Sequence, residues 1–454
     1  MTITETEIDA APAAAGPGFV EAFRVWLKIG FLSFGGPAGQ IALMHRTLVE
    51  ERRWVGEGRF LHALNYCMLL PGPEAQQLAT YVGWLLHGTL GGLVAGTLFV
   101  LPGACVILAL SLLYTLFHDI ALIAALFLGI KAAVLAVVIE AVGRIGKRVL
   151  RNRPMVAIAA GAFVAIFFFG VPFPLIVFSA ACLGLLGARL APGRFAVIRG
   201  HEVDDGDGAT ARGGSLWRRS LIVVIVGVVL WSAPIIAAWQ WLGPDSVFVA
   251  EGLFFSKLAV VTFGGAYAVL AYMAQQAVEV HGWLAAGEML DGLGLAETTP
   301  GPLILVTEFV GFLGAWRQPG PFQPLTAGLL GAGLTLWVTF VPCFIWIFLG
   351  APYVERLRQN LHLAAALSAI TAAIVGVILN LALWFGLHVV FAEVTVFSGW
   401  GLQLYVPAPA SLDPVAALLS AIAAVALLYF HRGVATTLAL CGGLGLAWGL
   451  VAGA

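Results

Sequence analysis

The sequence predicts an all-α integral membrane protein of two inverted-topology repeats, with broken or re-entrant helices at Gly-Gly and Pro-Gly-Pro motifs. Composition, internal duplication and the placement of charge predict it. Apolar residues make up 61% of the 454-residue chain and charged residues only 10%, against roughly 25% charged in a soluble domain. Lys28, Ser33-Phe34-Gly35-Gly36, Met44, Glu50 and Trp54 recur 229 residues later as Lys257, Thr262-Phe263-Gly264-Gly265, Met273, Glu279 and Trp283. The same offset brings Pro71-Gly72-Pro73 onto Pro300-Gly301-Pro302. Beyond a Pro-rich insert around Arg317 to Pro324, an offset of 240 pairs Pro102 with Pro342 and Lys131 with Thr371. A duplicated apolar chain interrupted at matching places is the pattern of a transporter.

The elements follow in order. Residues 1–18 are acidic and Ala/Pro-rich, with neither a basic start nor an apolar core, and read as a disordered cytoplasmic tail, not a signal peptide. The first repeat, 19–188, holds the motif-bearing segments 19–46 and 60–88. Apolar spans follow at 90–117 and 120–142, long enough against the ~20 residues a bilayer requires. Two shorter stretches, 154–170 and 172–188, flank Gly170-Val-Pro172-Phe-Pro174 and predict a tight helical hairpin. A basic linker, 189–217, leads into a connecting span at 218–242. The second repeat, 250–452, holds motif segments at 250–273 and 289–316 and spans at 326–349, 362–386, 412–430 and 433–452.

Charge sets the orientation. Basic residues gather at 46–59, 144–153 and 189–219, whereas loops 272–291 and 387–413 contain no Lys or Arg but carry Glu279, Glu288, Asp291, Glu393 and Asp413. The positive-inside bias puts the first set in the cytoplasm and the second outside. Corresponding loops of the two halves then lie on opposite sides, and the single span 218–242 supplies the inversion. This parity favours re-entrant hairpins at 19–46, 60–88, 250–273 and 289–316; bent full-length helices are the rival reading.

A helix that restarts at Pro37 or Pro73, or at their counterparts Ala266 and Pro302, presents free N–H groups and a positive dipole end. Such an end suits an anion, by about 0.3–2 kcal/mol. Gly permits the unusual dihedrals at each break, and Pro suits the first turn of a new helix. The candidate substrate-binding residues are therefore Lys28, Ser33, Phe34, Gly35, Gly36 and Pro37; Pro71, Gly72, Pro73, Gln76 and Gln77; Lys257, Thr262, Phe263, Gly264 and Gly265; and Thr298, Thr299, Pro300, Gly301 and Pro302. Ser33 and Thr262 offer hydroxyl donors. Lys28 and Lys257 are paired by the duplication, and a Lys at mid-membrane costs about 2.5 kcal/mol or more, which marks function. Glu74 and Glu297 beside the Pro-Gly-Pro breaks are candidates for coupling or gating. Each feature also has a plain reading: Gly and Pro as packing kinks, Lys28 and Lys257 as snorkelling side chains, Gln40, Asn65, Gln76 and Gln77 as ties between helices. Lys131, Glu140 and Glu308 are unduplicated charges in apolar runs and rank below Lys28 and Lys257. The five Cys (Cys67, Cys105, Cys182, Cys343, Cys441) are scattered and read as small buried apolar residues; no metal-ligand spacing or phosphate-cradling loop is present, and no cofactor is expected.

Ser33-Phe-Gly-Gly-Pro37 followed by Arg52-Arg-Trp54, Leu70-Pro-Gly-Pro73 with Gln76-Gln77, and Glu297-Thr-Thr-Pro-Gly-Pro302 resemble the chromate ion transporters in their long, two-domain form. The resemblance covers nearly the whole chain, and its motifs are specific in combination. It implies a secondary carrier in the bacterial inner membrane that exports chromate and confers chromate resistance, with sulfate as the structural competitor. The second half departs from the pattern at Ala266, where Pro37 would be expected, and carries Thr262 for Ser33, so equal contributions from the two half-sites are in question.

Alternatives remain at the level of sequence. A carrier for sulfate or another oxyanion would look alike, since tetrahedral oxyanions differ by fractions of an ångström. A passive anion channel shares half-helices and a positive interior. A membrane enzyme would want clustered ligands or a soluble domain, which this chain does not offer; nucleic acid is not an expected partner. Residues 412–452, outside the motif-bearing core, are a candidate homodimer surface.

Overall fold

The computed structural model describes residues 16–118, 120–190, 195, 216–263, 266–351, 361–399 and 401–452. Most of the 1–18 tail and of the 189–217 linker, together with Gly264 and Gly265, lie outside the described residues. Sixteen helices are described. The first half contains α1 (Phe19–Leu32), α2 (Gly36–His45), α3 (Glu57–Cys67), α4 (Glu74–Phe117), α5 (Ala121–Val149), α6 (Arg153–Phe169) and α7 (Phe173–Leu190). After α8 (Leu216–Leu242) come α9 (Val247–Val261), α10 (Ala266–Gln275), α11 (Ala286–Thr298), α12 (Val306–Arg317), α13 (Pro324–Gly350), α14 (Leu361–Val390), α15 (Pro414–Ala424) and α16 (Val434–Ala452). Seven helices are long and apolar enough to cross a membrane, and the chain is a multi-pass membrane protein.

The motif-bearing helices are too short for that. At ~1.5 Å per residue, α1, α2, α3, α9, α10, α11 and α12 each fall short of a ~30 Å hydrocarbon core. Continuous through Phe117 by hydrogen bonding, α4 nevertheless breaks at His87 (φ −134°, ψ 23°) and Gly88 (φ 65°, ψ −154°), where the sequence separates segment 60–88 from span 90–117. The expected hairpin of α6 and α7 closes at Gly170, whose φ of 59° caps α6.

Local geometry repeats at the 229-residue offset. The α2 helix ends in a π-helical turn, Arg46–Glu51, and α10 in another, Gln276–Val280. Trp54 N–H donates to Leu48 C=O at 2.9 Å, and Trp283 N–H to Ala277 C=O at 2.8 Å. Between them Arg53 (φ 54°) and Gly282 (φ 61°) take the left-handed conformation. Phe34 N–H turns back to Leu32 C=O, and Phe263 N–H to Val261 C=O.

Packing relies on backbone approaches. Pro102 allows α4 to carry Gly30 of α1 against Leu98 C=O, and Gly129 of α5 rests on the Cys441 carbonyl of α16. Among the described candidate spans α8 is the most exposed, with Gly227 its one buried residue, and reciprocal indole bonds from Trp231 to Val338 C=O and from Trp337 to Leu230 C=O fix it to α13. This is the surface expected for lipid contact.

Contacts collect the basic segments at one end, where Arg52 pairs with Glu21 at 2.6 Å, Arg219 lies over Trp84 and Arg148 reaches Met68. At the acidic loops, Glu279 accepts from Trp384 and Tyr405, and Gln403 packs on Gly170. Tyr405 and Gln403 belong to a β-hairpin, β1 (Val394–Gly399) with β2 (Leu402–Pro407), which the all-α expectation for 387–413 did not include. Alternating Val, Phe and Tyr around Gly401 (φ 78°) form it. Span 412–430 is also modified: α15 passes into a π-helical turn, Val425–Tyr429, and His431 takes φ 51°. Cys67, Cys343 and Cys441 are buried as expected, but Cys105 is exposed and Cys182 half-buried, because they sit on outward faces of α4 and α7.

Replacing Gly129 with Val would put a Cβ 1.9 Å from the Cys441 carbonyl oxygen. Gly129→Val should destabilise the purified protein by about 1–3 kcal/mol through overpacking, seen as a lower thermal midpoint in detergent; an unchanged midpoint would contradict this α5–α16 packing.

Candidate functional site

Four interruptions of helix meet in two pairs, each joining one half to the other. The Gly72 N–H donates to Thr262 C=O at 2.7 Å, and the Gly301 N–H donates to Ser33 C=O at 2.8 Å. The bonds are equivalent under the 229-residue offset, so each Pro-Gly-Pro turn is bound to the end of the opposite half's first broken helix. Gly72 (φ 118°) and Gly301 (φ 97°) hold conformations that an L side chain rarely adopts. Their surroundings correspond as well: a Cβ on Gly72 would strike Cys343, and one on Gly103 would strike Pro300 C=O. Each turn thus packs beside the interior proline of the other half, Pro342 or Pro102.

The expected helix restarts are present. Gly36 opens α2 with Pro37 in its first turn, Pro73 caps α4, and α10 opens at Ala266. After Pro302 a 3-10 turn, Leu303–Leu305, precedes α12, which was not foreseen. In α4 the first helical bond runs from Gln77 N–H to Pro73 C=O, so the N–H groups of the preceding first turn have no intrahelical partner and remain suited to an anion.

The side chains are less uniformly directed at an anion than the sequence implies. Ser33 Oγ donates to Ile29 C=O at 2.6 Å and Thr262 Oγ1 to Leu258 C=O at 2.5 Å. Both hydroxyls are buried and satisfy their own helix ends, so only rotation would free them for a ligand. Thr298 and Thr299 likewise donate to carbonyls within α11. Gln77 donates to Pro71 C=O at 2.6 Å, and Gln76 to the Thr80 hydroxyl at 3.1 Å. Lys28 and Lys257 are exposed on the open faces of α1 and α9, and the Lys257 ammonium lies 5.6 Å from the Tyr272 ring centroid. Phe34 is exposed, Phe263 half-buried.

Gln40 is the side chain that ties the breaks together. Its Nε2 donates to Ser33 C=O at 3.2 Å and to Gly301 C=O at 2.6 Å. Glu74 is half-buried in the first turn of α4. Glu297 accepts from Tyr267 Oη at 2.7 Å.

Lys131, ranked in sequence below Lys28 and Lys257, takes part in a contact between the two halves. Lys131 Nζ lies 3.2 Å from Asp291 Oδ2, which also accepts from Tyr114 Oη at 2.8 Å. Asp291 is 3% exposed, although sequence placed it at the edge of an outer loop, because α11 carries it inward. Its spacing of three from Glu288 on one helical face was the available signal. At the loop end of α11, burial works against the Glu288 carboxylate, but hydrogen bonds from Arg317 and from Ala285 N–H outweigh it and hold its pKa below the usual range. Glu251, fully buried in α9 against Gly314 and Gly331, was also missed. Among the described residues no three His, Cys, Asp or Glu side chains are grouped to hold a metal ion.

Gln40→Leu preserves bulk but leaves the buried Gly301 carbonyl without its side-chain donor. It should cost about 1 kcal/mol, read as a lower melting midpoint; equal stability would show that the Gln40 bridge contributes nothing.

Comparison with known proteins gives consistent results. A family model described as chromate transporter matches residues 20–185 and 250–446. A chromate transport protein of Pseudomonas aeruginosa is 32% identical over 380 residues, covering 82% of each chain. A probable chromate transport protein of Synechococcus elongatus is 26% identical over 409 residues, covering 88% of this chain and 94% of the relative. A chromate transport protein of Cupriavidus metallidurans is 26% identical over 373 residues, covering 78% of this chain and 79% of the relative. No solved structure matches this chain.

Proposed function

We propose that this chain, which belongs to the chromate transporter family, carries chromate across the bacterial inner membrane from cytoplasm to outside by alternating access of two inverted repeats. The observation that carries the reading is the reciprocal pair of bonds, Gly72 to Thr262 and Gly301 to Ser33. Contacts of this i-to-j, j-to-i kind are what a two-fold relation between halves produces. They bring four helix interruptions to one region, as in carriers whose substrate sites lie at a repeat interface.

Chromate is a tetrahedral dianion. Its charge is met by first-turn N–H groups and positive dipole ends at the restarts of α2, α4 and α10, with the turn after Pro302 as the fourth. Ser33 and Thr262 act as hydrogen-bond donors only when their hydroxyls turn from Ile29 and Leu258. Lys28 and Lys257, exposed on α1 and α9, attract the anion along its approach and do not enclose it. An inside-negative potential favours outward movement by about 2.3 kcal/mol per charge per 100 mV, so export needs no coupling ion. Removal of chromate from the cytoplasm is the physical basis of resistance. Sulfate, of the same shape and charge, competes for the site.

Labelled chromate flux into liposomes holding the purified protein, under a set potential, tests this directly. Saturable flux inhibited by sulfate is expected, with Lys28→Ala and Lys257→Ala raising the half-saturating concentration more than they lower the maximal rate. Sulfate flux without chromate flux would discard the cargo, and flux indifferent to both lysines would discard their role. Glu297, held by Tyr267, is the site of proton coupling if there is any: Glu297→Gln should then retain chromate binding and lose pH-driven flux, while unchanged pH dependence would remove it from the mechanism.

A further inference from the structure

The two halves carry the same motifs but are packed differently. In the second half, the described side chains Tyr267 and Val269–Ala274 of α10 and all of 289–296 in α11 are buried. At the corresponding positions of the first half, only Gln40 and Met44 of α2 are buried, and α3 buries only Phe60, Ala63, Tyr66 and Cys67. The difference is one of docking: α11 lies along α5, whereas among the described residues α3 makes no comparable contact with α14.

The docked side is closely fitted. A Cβ on Gly294 would fall 2.2 Å from Ile130 Cγ2, and one on Gly287 would fall 3.3 Å from Lys131 Nζ. Lys131 and Tyr114 from the first half converge on Asp291 of the second. Phe127 and Phe309 pack edge-on against the Tyr114 ring, each at 5.2 Å. Asp291 is buried, so separating it from Lys131 and Tyr114, or removing one partner, strands a group away from water.

We propose that Lys131, Asp291 and Tyr114 are the latch of a closed outer gate, and that the undocked α2–α3 segment is the inner gate, open in this structure. The assignment rests on the alternating-access reading above. When the gates exchange, the duplication brings His62 of α3, the counterpart of Asp291, to Thr371 of α14, the counterpart of Lys131. Asn65 then takes the place of Gly294 and meets Ile370, the counterpart of Ile130. Gln40 holds α2 to Ser33 and Gly301, so the hinge lies at the helix breaks and the moving parts lie beyond them.

Two engineered cysteine pairs test this in the full-length protein in liposomes, with oxidative crosslinking mapped by mass spectrometry. Ile130→Cys with Gly294→Cys should crosslink readily and abolish chromate flux until reduced. Asn65→Cys with Ile370→Cys should crosslink slowly in the same preparation. Adding Asp291→Asn to that second pair should raise its yield severalfold, and the exchanged pair Lys131→Asp with Asp291→Lys should lower the yield again. Rapid crosslinking at both sites at once, or full flux through the oxidised Ile130→Cys/Gly294→Cys protein, would overturn the gate. Exclusive crosslinks without chromate flux would leave the gate standing and remove only the cargo.

Discussion

Everything at the centre of this protein depends on broken helices being satisfied by the opposite half of the chain. Interrupting a helix frees N–H and C=O groups, and inside a membrane each unpaired group costs several kcal/mol. Here the Gly72 and Gly301 amides find the Thr262 and Ser33 carbonyls, so each half repairs the other's break. In α4 the first-turn amides before Gln77 are left without an intrahelical partner, and the proposed function assigns them to the anion. That arrangement demands glycine at positive φ at both positions, and small residues, Gly103 and Cys343, where the turns press against the neighbouring helices.

The same dependence explains how a nearly equivalent pair of halves can be unequal in one conformation. The cross-half bonds sit at the breaks, and in the proposed exchange it is the outer parts of the motif helices that dock or lift. Docking α10 and α11 buries apolar surface and the Lys131–Asp291 pair, while α2 and α3 leave theirs open. Packed interfaces of this sort are bistable and do not deform continuously, which suits exchange between two states better than gradual widening.

Much of this was legible in sequence. Composition and long apolar runs identify the membrane class, and the 229-residue offset located all four breaks because Gly and Pro have few other reasons to recur in such pairs. The closing of α4 at His87–Gly88 and the turn at Gly170 were marked by the same punctuation. Sequence could not show that the Ser33 and Thr262 hydroxyls bond back to their own helices, since a Ser or Thr near a helix end serves either purpose. Nor could it show that Lys28 and Lys257 are exposed on α1 and α9, since duplication says nothing about which way a side chain faces. The pairing of Lys131 with Asp291 was not legible: neither charge is duplicated, and only the fold brings residues 160 positions apart into contact. The β-hairpin at 394–407 was hidden in segment 387–413, which was read for its charge and not for its strand pattern.

Counterflow tests the central claim most directly. With the protein in liposomes, labelled chromate uptake would be compared with and without unlabelled chromate trapped inside, at zero potential. A single site that faces each side in turn predicts faster labelled uptake when chromate is present within. Uptake that is unaffected or slowed by internal chromate would contradict alternating access, and would assign the four broken helices to a channel.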